Sequence, residues 1–469
     1  MPNRISEVTS SVFARARSGA LPLVCAAGVA LAPAAEAQNR RMTIIRDAEI
    51  EALLRDYAEP IFAAAGVTSR DSEIILVQNK EFNAFVASGR RMVIHTGTLL
   101  QAETPNEVIG VLAHETGHLA GGHLEGLRNE VARAQAIGLV VSALGVAGMV
   151  AGAAAGVESG ARMGAAATTI GPGVAMRSLL SYRRAQELAA DRAALSYLGA
   201  TRQSARGMVQ SFERFADQQL FSARYADPYA QSHPMARDRL QQLEKVARES
   251  PYWEAVDSAE LQLRHDMMRA KLSAFSESPR TAGRRFPRSD DSIPAQYARA
   301  IVNYRTGGTR QAVRAVDALI AQAPNYPYFH ELKGQILLES GRAQEAAAPL
   351  RQAVALAPKS GLIRIMLGHA LLQTGNAGQL EEAIANLTTG LNSEPLASDG
   401  YRHLATAYQR QGRVAEAELA SAEGLLIDGD IESAKNFARR AQAKFSRGSP
   451  GWLKADDIIG YESPAGSTN

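Results

Sequence analysis

The stretch Ala113–His123, AHETGHLAGGH, carries two histidines four residues apart with a glutamate directly after the first. On an α-helix, positions four apart share a face, so His114 and His118 point the same way. Each can place a ring nitrogen about 2.0–2.1 Å from one zinc ion. Glu115 lies beside them, placed to take a proton from a water that zinc acidifies toward a pKa of about 7 and to hand it later to a leaving amine. Two histidines at this spacing also suit a plain polar helix face, so the surroundings decide. Upstream, Thr104-Pro105-Asn106-Glu107 is a helix start: threonine as N-cap, proline at the first helical position, glutamate three residues on to close a capping box. The motif is thereby predicted to lie on a helix from about Pro105 to Arg128.

A catalytic zinc needs a third protein ligand and an open fourth position. Two candidates compete. His123 is near in sequence, and Gly121 sits where the metzincin pattern wants its glycine, but that pattern places its third histidine one residue later than His123. The other is Glu187, within Tyr182–Asp191, YRRAQELAAD, which reads as a second helix ending near Gly199. Glu187 and Asp191 are four apart and share a face, giving one carboxylate for a metal and one to orient a ligand imidazole through its other nitrogen. This second arrangement is the favoured one.

Working outward, the chain of 469 residues has the length of about three ordinary domains. Its apolar fraction of 46% and charged fraction of 21% are those of a globular protein. A net charge of +3, without basic runs or aromatic-basic alternation, argues against a nucleic-acid partner. Arg4, Arg15 and Arg17 precede an apolar run from Ala20 to Ala34 and the small-x-small triplet Ala35-Glu36-Ala37, so residues 1–37 read as a secretory signal peptide. Cys25 lies inside it, and the expected mature chain has no cysteine and no disulfide.

Past the leader, Arg46 to Ala65 is predicted helical from Ile50, Leu53, Leu54, Ile61 and Phe62. Residues 73–77 and 91–95 read as strands, the second following the turn Ser88-Gly89. Ala134 to Val157 carries no charge and has glycine-x-x-x-glycine spacings at Gly148, Gly152 and Gly156. A single membrane crossing there would separate His114 and His118 from Glu187, and the uncharged run from Gly164 to Met176 is too short for a return. The segment therefore reads as a core helix, a lid, or an element touching a membrane surface. Further on, Gly307, Gly341, Gly375 and Gly412 close helical stretches at spacings of 34, 34 and 37, with Asn376-Ala377-Gly378 as the three-residue insertion. A helix-turn-helix repeated every 34 residues is the tetratricopeptide pattern, which stacks into a superhelix that binds peptides or protein surfaces. His265, His330, His369 and His403 sit at no ligand spacing and read as surface or groove residues.

HETGH with its glycine before the second histidine, the further His123, and ELAAD together resemble the gluzincin family of the CAAX prenyl proteases and HtpX heat-shock peptidases. Asn83-Ala84-Phe85 with the strand Met92 to Leu99 resembles the segment ahead of the family's active-site helix, and Ser232-His233-Pro234 with Arg239 resembles its histidine-proline motif. The resemblance implies one zinc held by His114, His118 and Glu187, Glu115 as base, Asp191 and Arg239 behind the ligands, and His233 as a donor to the oxyanion; as a fourth zinc ligand His233 would instead hold the enzyme latent, and as a plain loop histidine it would do neither. It further implies that substrate is added as a strand to a sheet edge. The strand from Arg91 to Thr96 is the candidate edge, with Asn83, Phe85, Val93 and His95 as substrate-binding residues.

The expectation is a mainly α chain, a zincin-like α+β metallopeptidase domain with a small sheet followed by an α-solenoid of tetratricopeptide repeats. Its parts are a leader (1–37), peptidase (38–279), linker (280–294), repeats (295–450) and tail (451–469). Leader, peptidase and repeats together resemble periplasmic proteases that attend outer-membrane β-barrel assembly. That likeness implies misfolded or stalled outer-membrane proteins as substrates and, through the repeats, the assembly machinery as a partner, with peripheral membrane contact through 134–157. The competing reading is a chaperone or assembly adaptor whose zinc site is latent or structural.

Overall fold

The structure is a computed structural model that describes residues 43–68, 72–87, 91–154, 158–221 and 237–462. The expected leader, the turn at Ser88-Gly89 and the segment with His233 lie outside these residues, as do most side chains between 137 and 178. A short strand β1 (Ile44–Ile45) leads into helix α1 (Ala48–Ala64), which Asp47 caps by accepting from the N–H groups of Glu49 and Ile50. Ile50, Leu53, Leu54, Ile61 and Phe62, the apolar residues at helical spacing, are all buried. Three strands follow: β2 (Glu73–Val77), β3 (Ala84–Ala87) and β4 (Arg91–His95).

The sheet order is β1-β2-β4-β3. β4 pairs in parallel with β2, from Glu73↔Arg91 to Val77↔His95, and antiparallel with β3, Phe85 opposite Val93. The expectation of a free edge at residues 91–96 is thereby corrected. Both sides of β4 are taken, and Val93 and His95 are buried; the edge strand beside it is β3. The continuous apolar run of β4 is the composition of a strand covered on both faces. Nor does the strand reach Leu99. Residues Thr96–Gln101 form helix α2, and its Gly97 approaches the Lys80 and Glu81 carbonyls so closely that a Cβ would stand 2.2 and 2.3 Å from them.

Helix α3 (Pro105–Ala120) starts at the predicted place, although the Thr104 side chain makes no cap bond and Glu107 accepts instead from the Glu103 N–H at 3.0 Å. It ends eight residues before the predicted Arg128. Gly122 takes a left-handed conformation, φ +62°, which a side chain would strain, and the chain turns at once into α4 (His123–Ala154). α5 (Glu158–Ala200) returns alongside α4. Among the described residues no helix is long and apolar enough to cross a membrane. Helices α6 (Arg206–Phe221), α7 (Arg237–Arg248) and α8 (Ala259–Ser276) complete the first half, and one apolar core joins α1, the sheet, α3, α5, α6, α7 and α8.

The stretch expected as a linker contains a helix, α9 (Pro279–Arg285), with Ser278 as N-cap and proline at its first turn. Five helix pairs or part-pairs follow. They are α10 (Ile293–Arg305) with α11 (Thr309–Gln322), α12 (Pro327–Glu339) with α13 (Ala343–Leu356), α14 (Gly361–Gln373) with α15 (Leu380–Ser393), α16 (Ser398–Arg410) with α17 (Val414–Ile427), and α18 (Ile431–Gln442) with α19 (Pro450–Ile459). Gly307, Gly341, Gly375 and Gly412 all have φ between +72° and +86°, the left-handed helix ends that the spacing picked out. The insertion forms a 3-10 turn, Ala377–Gln379. The expected tail is helical as far as Ile459, because α19 packs Ala455 and Ile458 against α17 and α18.

The two halves share buried surface. Met267, Ala270 and Ala274 of α8 pack with Tyr297, Ala298 and Ile301 of the first repeat helix. Glu49 of α1 accepts hydrogen bonds from the hydroxyls of Tyr297, at 3.0 Å, and Tyr326. Lys271 of α8 reaches the half-buried Asp47 at 2.8 Å and, in the interior, Glu49 at 3.3 Å and Glu331 of α12 at 3.5 Å. His265, expected at a surface, is fully buried between the Tyr57 hydroxyl and the Ala102 carbonyl, each 3.0 Å away. Burial pushes its imidazole down to about 4.

Candidate metal centre

Helix α3 is buried from Pro105 to His118, so His114 and Glu115 have no exposed surface and His118 very little. What brings a third ligand to them is an absence of side chain. A Cβ on Gly117 would stand 2.8 Å from the Ala190 carbonyl oxygen and 2.9 Å from its Cα, so only glycine lets α5 lie this close to α3. On α5, Glu187 lies one turn before Ala190 and Asp191 directly after it. At the other end of α3, Gly110 meets Met208 of α6 in the same way, with 2.6 Å to its Cα.

Close approach sets the geometry. His114 Nε2 and His118 Nε2 are 3.1 Å apart, and Glu187 presents Oε2 at 3.4 Å from the first and Oε1 at 3.3 Å from the second. Three ligand atoms on a tetrahedron with bonds of 2.0–2.1 Å stand about 3.3 Å apart, so this triangle has the dimensions of a zinc face. Among the described residues these three form the group able to hold a metal ion. They fit zinc by type as well, with two imidazoles and one carboxylate.

Behind the triangle, His114 Nδ1 stands 3.0 Å from Asp191 Oδ1. Arg239 of α7 grips Asp191 with two bonds, Nε to Oδ2 at 2.6 Å and Nη2 to Oδ1 at 2.7 Å, and places Nη1 2.9 Å from Glu187 Oε2. The Arg239 guanidinium lies over the Phe212 ring, whose face meets the His114 ring at right angles. Phe212 left no trace in the sequence reading, since an apolar residue in an amphipathic helix looks like any core residue. Burial opposes charge on Asp191, yet the bonds from Arg239 and His114 hold its carboxyl below the ordinary value. Burial likewise opposes a proton on His114, but Asp191 and Glu187 overcome it and raise the imidazole to about 9. The pocket therefore favours positive charge at its centre.

Of the residues proposed from the sequence, the structure brings together His114, Glu115, His118, Glu187, Asp191 and Arg239. Glu187 and His123 were competitors for the third position; Glu187 lies in the triangle, and His123 faces the outer nitrogen of His118. Asn83 is buried, while Phe85 on β3 is half-buried with its ring edge-on to His95.

Fold and site together define a metallopeptidase coupled to a helical repeat array. Residues 45–247 match the model of Peptidase family M48, and residues 297–361 and 365–434 match Tetratricopeptide repeat. The first part of the chain is thus similar to family M48 peptidases and the second to tetratricopeptide repeats. Over 383 residues it is 23% identical to the beta-barrel assembly-enhancing protease of Yersinia pestis, covering 80% of this chain and 75% of that one. With the protein of the same name from Escherichia coli the identity is 24% over 392 residues, with the same shares. A crystal structure of MamA, 20% identical, covers 34% of this chain and 94% of its own length with a TM-score of 0.28.

Proposed function

We propose that this chain is a zinc-dependent metalloendopeptidase of the periplasm that cleaves misfolded or stalled outer-membrane proteins. The observation that carries the reaction is the triangle of His114, His118 and Glu187, with side lengths of 3.1, 3.4 and 3.3 Å, suited to zinc and lying beside a buried glutamate. Substrate class and compartment rest on the name of the relatives and on the predicted leader. The repeats engage substrate or the β-barrel assembly machinery. The boundaries 38–279 and 295–450 serve as working limits of the two halves.

Zinc, when bound, would polarise the scissile carbonyl and acidify a water. The chain's own residues do the rest. His114, His118 and Glu187 hold the ion; Asp191 keeps the His114 proton on Nδ1, leaving Nε2 as lone pair. Glu115 takes the proton of the attacking water and returns it to the leaving amine. Arg239 fixes both carboxylates of α5 and so the third ligand. His233 is carried over from the family resemblance as the oxyanion donor. An extended substrate would pair with the outer edge of β3, alongside Phe85, rather than with β4.

Glu115→Gln is the direct test. It should keep one zinc per chain and lose hydrolysis of an unfolded protein substrate by about 10²–10⁴-fold, the usual worth of a positioned acid–base group. If the variant cleaves at the wild-type rate, or restores a deletion strain fully, the protease reading gives way to that of an adaptor.

A further inference from the structure

We infer that His123 is a positioning residue for the metal site: it accepts the proton of the outer nitrogen of His118 and thereby aims that ligand's lone pair at the ion. The inference rests on the zinc reading above and adds a third histidine to the site. His123 Nδ1 stands 3.0 Å from His118 Nδ1, with the two rings nearly perpendicular at 85°. Between two imidazole nitrogens at that distance one must donate and the other accept. A proton on His118 Nδ1 leaves Nε2 bare toward His114 and Glu187. The opposite sharing would put a proton on His118 Nε2, in the middle of the triangle. Only the first arrangement admits an ion.

The pairing is built by the turn between α3 and α4. Had α3 run on, position 123 would lie five residues past His118 and face away from it, because one helical turn takes 3.6 residues. Gly122, at φ +62°, breaks the helix so that His123 opens α4 and its ring folds back. The ring then lies over the backbone of Gly121, where a Cβ would stand 2.3 Å from His123 Nε2. Gly121 itself has an ordinary helical φ of −76°, so its lack of a side chain serves the ring and not the backbone. The two ligand histidines are thus held alike, His114 by Asp191 and His118 by His123.

The test measures zinc affinity by competition with a chromogenic chelator, for wild type, His123→Ala, His123→Asn, Gly121→Ala and the double variant Gly121→Ala/His123→Ala, with the melting temperature of each metal-free protein beside it. His123→Ala should weaken zinc by about 10–100-fold, the usual cost of losing an outer partner of a ligand, while the metal-free melting temperature stays put. Asn, whose side-chain oxygen can accept from His118 Nδ1, should recover most of the loss. Gly121→Ala should copy His123→Ala, and the double variant should be no weaker than either single one, since both remove one contact. Wild-type affinity in His123→Ala, or additive losses in the double variant, overturns the inference and leaves the zinc reading intact. A wild type that binds no zinc sinks the zinc reading itself.

Discussion

Among the described residues, two clusters of largely buried carboxylates meet their charge in opposite ways. At the metal centre, Glu187 and Asp191 share Arg239 and stand against the nitrogens of His114 and His118. At the junction with the repeats, Asp47, Glu49 and Glu331 surround Lys271, and the hydroxyls of Tyr297 and Tyr326 fill the remaining acceptors of Glu49. The first cluster leaves lone pairs converging on one point, the geometry of an ion site. The second already contains its cation, and burial works against full charge on its carboxylates. Burial raises the Glu49 carboxyl and pushes Glu331 up to about 7, each against the pull of Lys271. Lys271, pulled down by burial, is carried well above its ordinary value by Asp47, Glu331 and Glu49. Buried acidity alone thus does not make a metal site; converging donors do.

The contrast can be broken most severely at the ion. Chelation, or Glu187→Ala, should remove zinc and abolish proteolysis, and zinc should restore the chelated wild type but not the variant; elemental analysis beside a protease assay decides it. Full zinc content in Glu187→Ala would return the third position to another residue. At the junction, Lys271→Met leaves the buried Glu49 and Glu331 and the half-buried Asp47 without their cation and should cost about 3–5 kcal/mol in denaturant unfolding, with zinc content unchanged. A loss below about 1 kcal/mol would mean that the carboxylates are protonated without Lys271 and that the cluster is no clamp.

Smaller changes sharpen the comparison. Asp191→Asn should weaken zinc by about 10–100-fold without removing it, measured by chelator competition; an unchanged affinity would leave Arg239 and Glu187 as sufficient support. The finest test is pH. The Glu331 carboxyl at about 7 lies above the ordinary value of 4.5. Its contribution is therefore fully present below about pH 4.5 and lost as pH rises through about 7. Wild type should lose stability relative to Glu331→Gln between about pH 5 and pH 8 in urea titrations. Parallel curves would show that Glu331 is ionised throughout.

Much of this was legible in the residues. Spacing within one helix is a local property, so His114, Glu115 and His118, and separately Glu187 and Asp191, could be read from 3.6-residue periodicity. The repeat was legible for the same reason, since each left-handed helix end needs its glycine at a fixed interval. Even the favoured third ligand followed from pattern. What pattern could not convey is how near two elements come. The contact of α3 with α5 depends on Gly117 having no Cβ against the Ala190 backbone, and a glycine in sequence looks the same whether it serves a turn, a ring or a neighbouring helix.

Charge spacing and helical periodicity in the chain itself therefore determined which side chains are candidates to hold a metal ion and that a repeat array follows them. Tertiary structure alone decided that β4 is interior and β3 the edge, that His123 turns back onto His118, that His265 is buried, and that residues 279–285 and 450–459 are helical rather than linker and tail. The physical reason is the same in each case. Strand order, ring placement and burial are set by which surfaces meet, and surfaces distant in sequence meet only when the chain has folded.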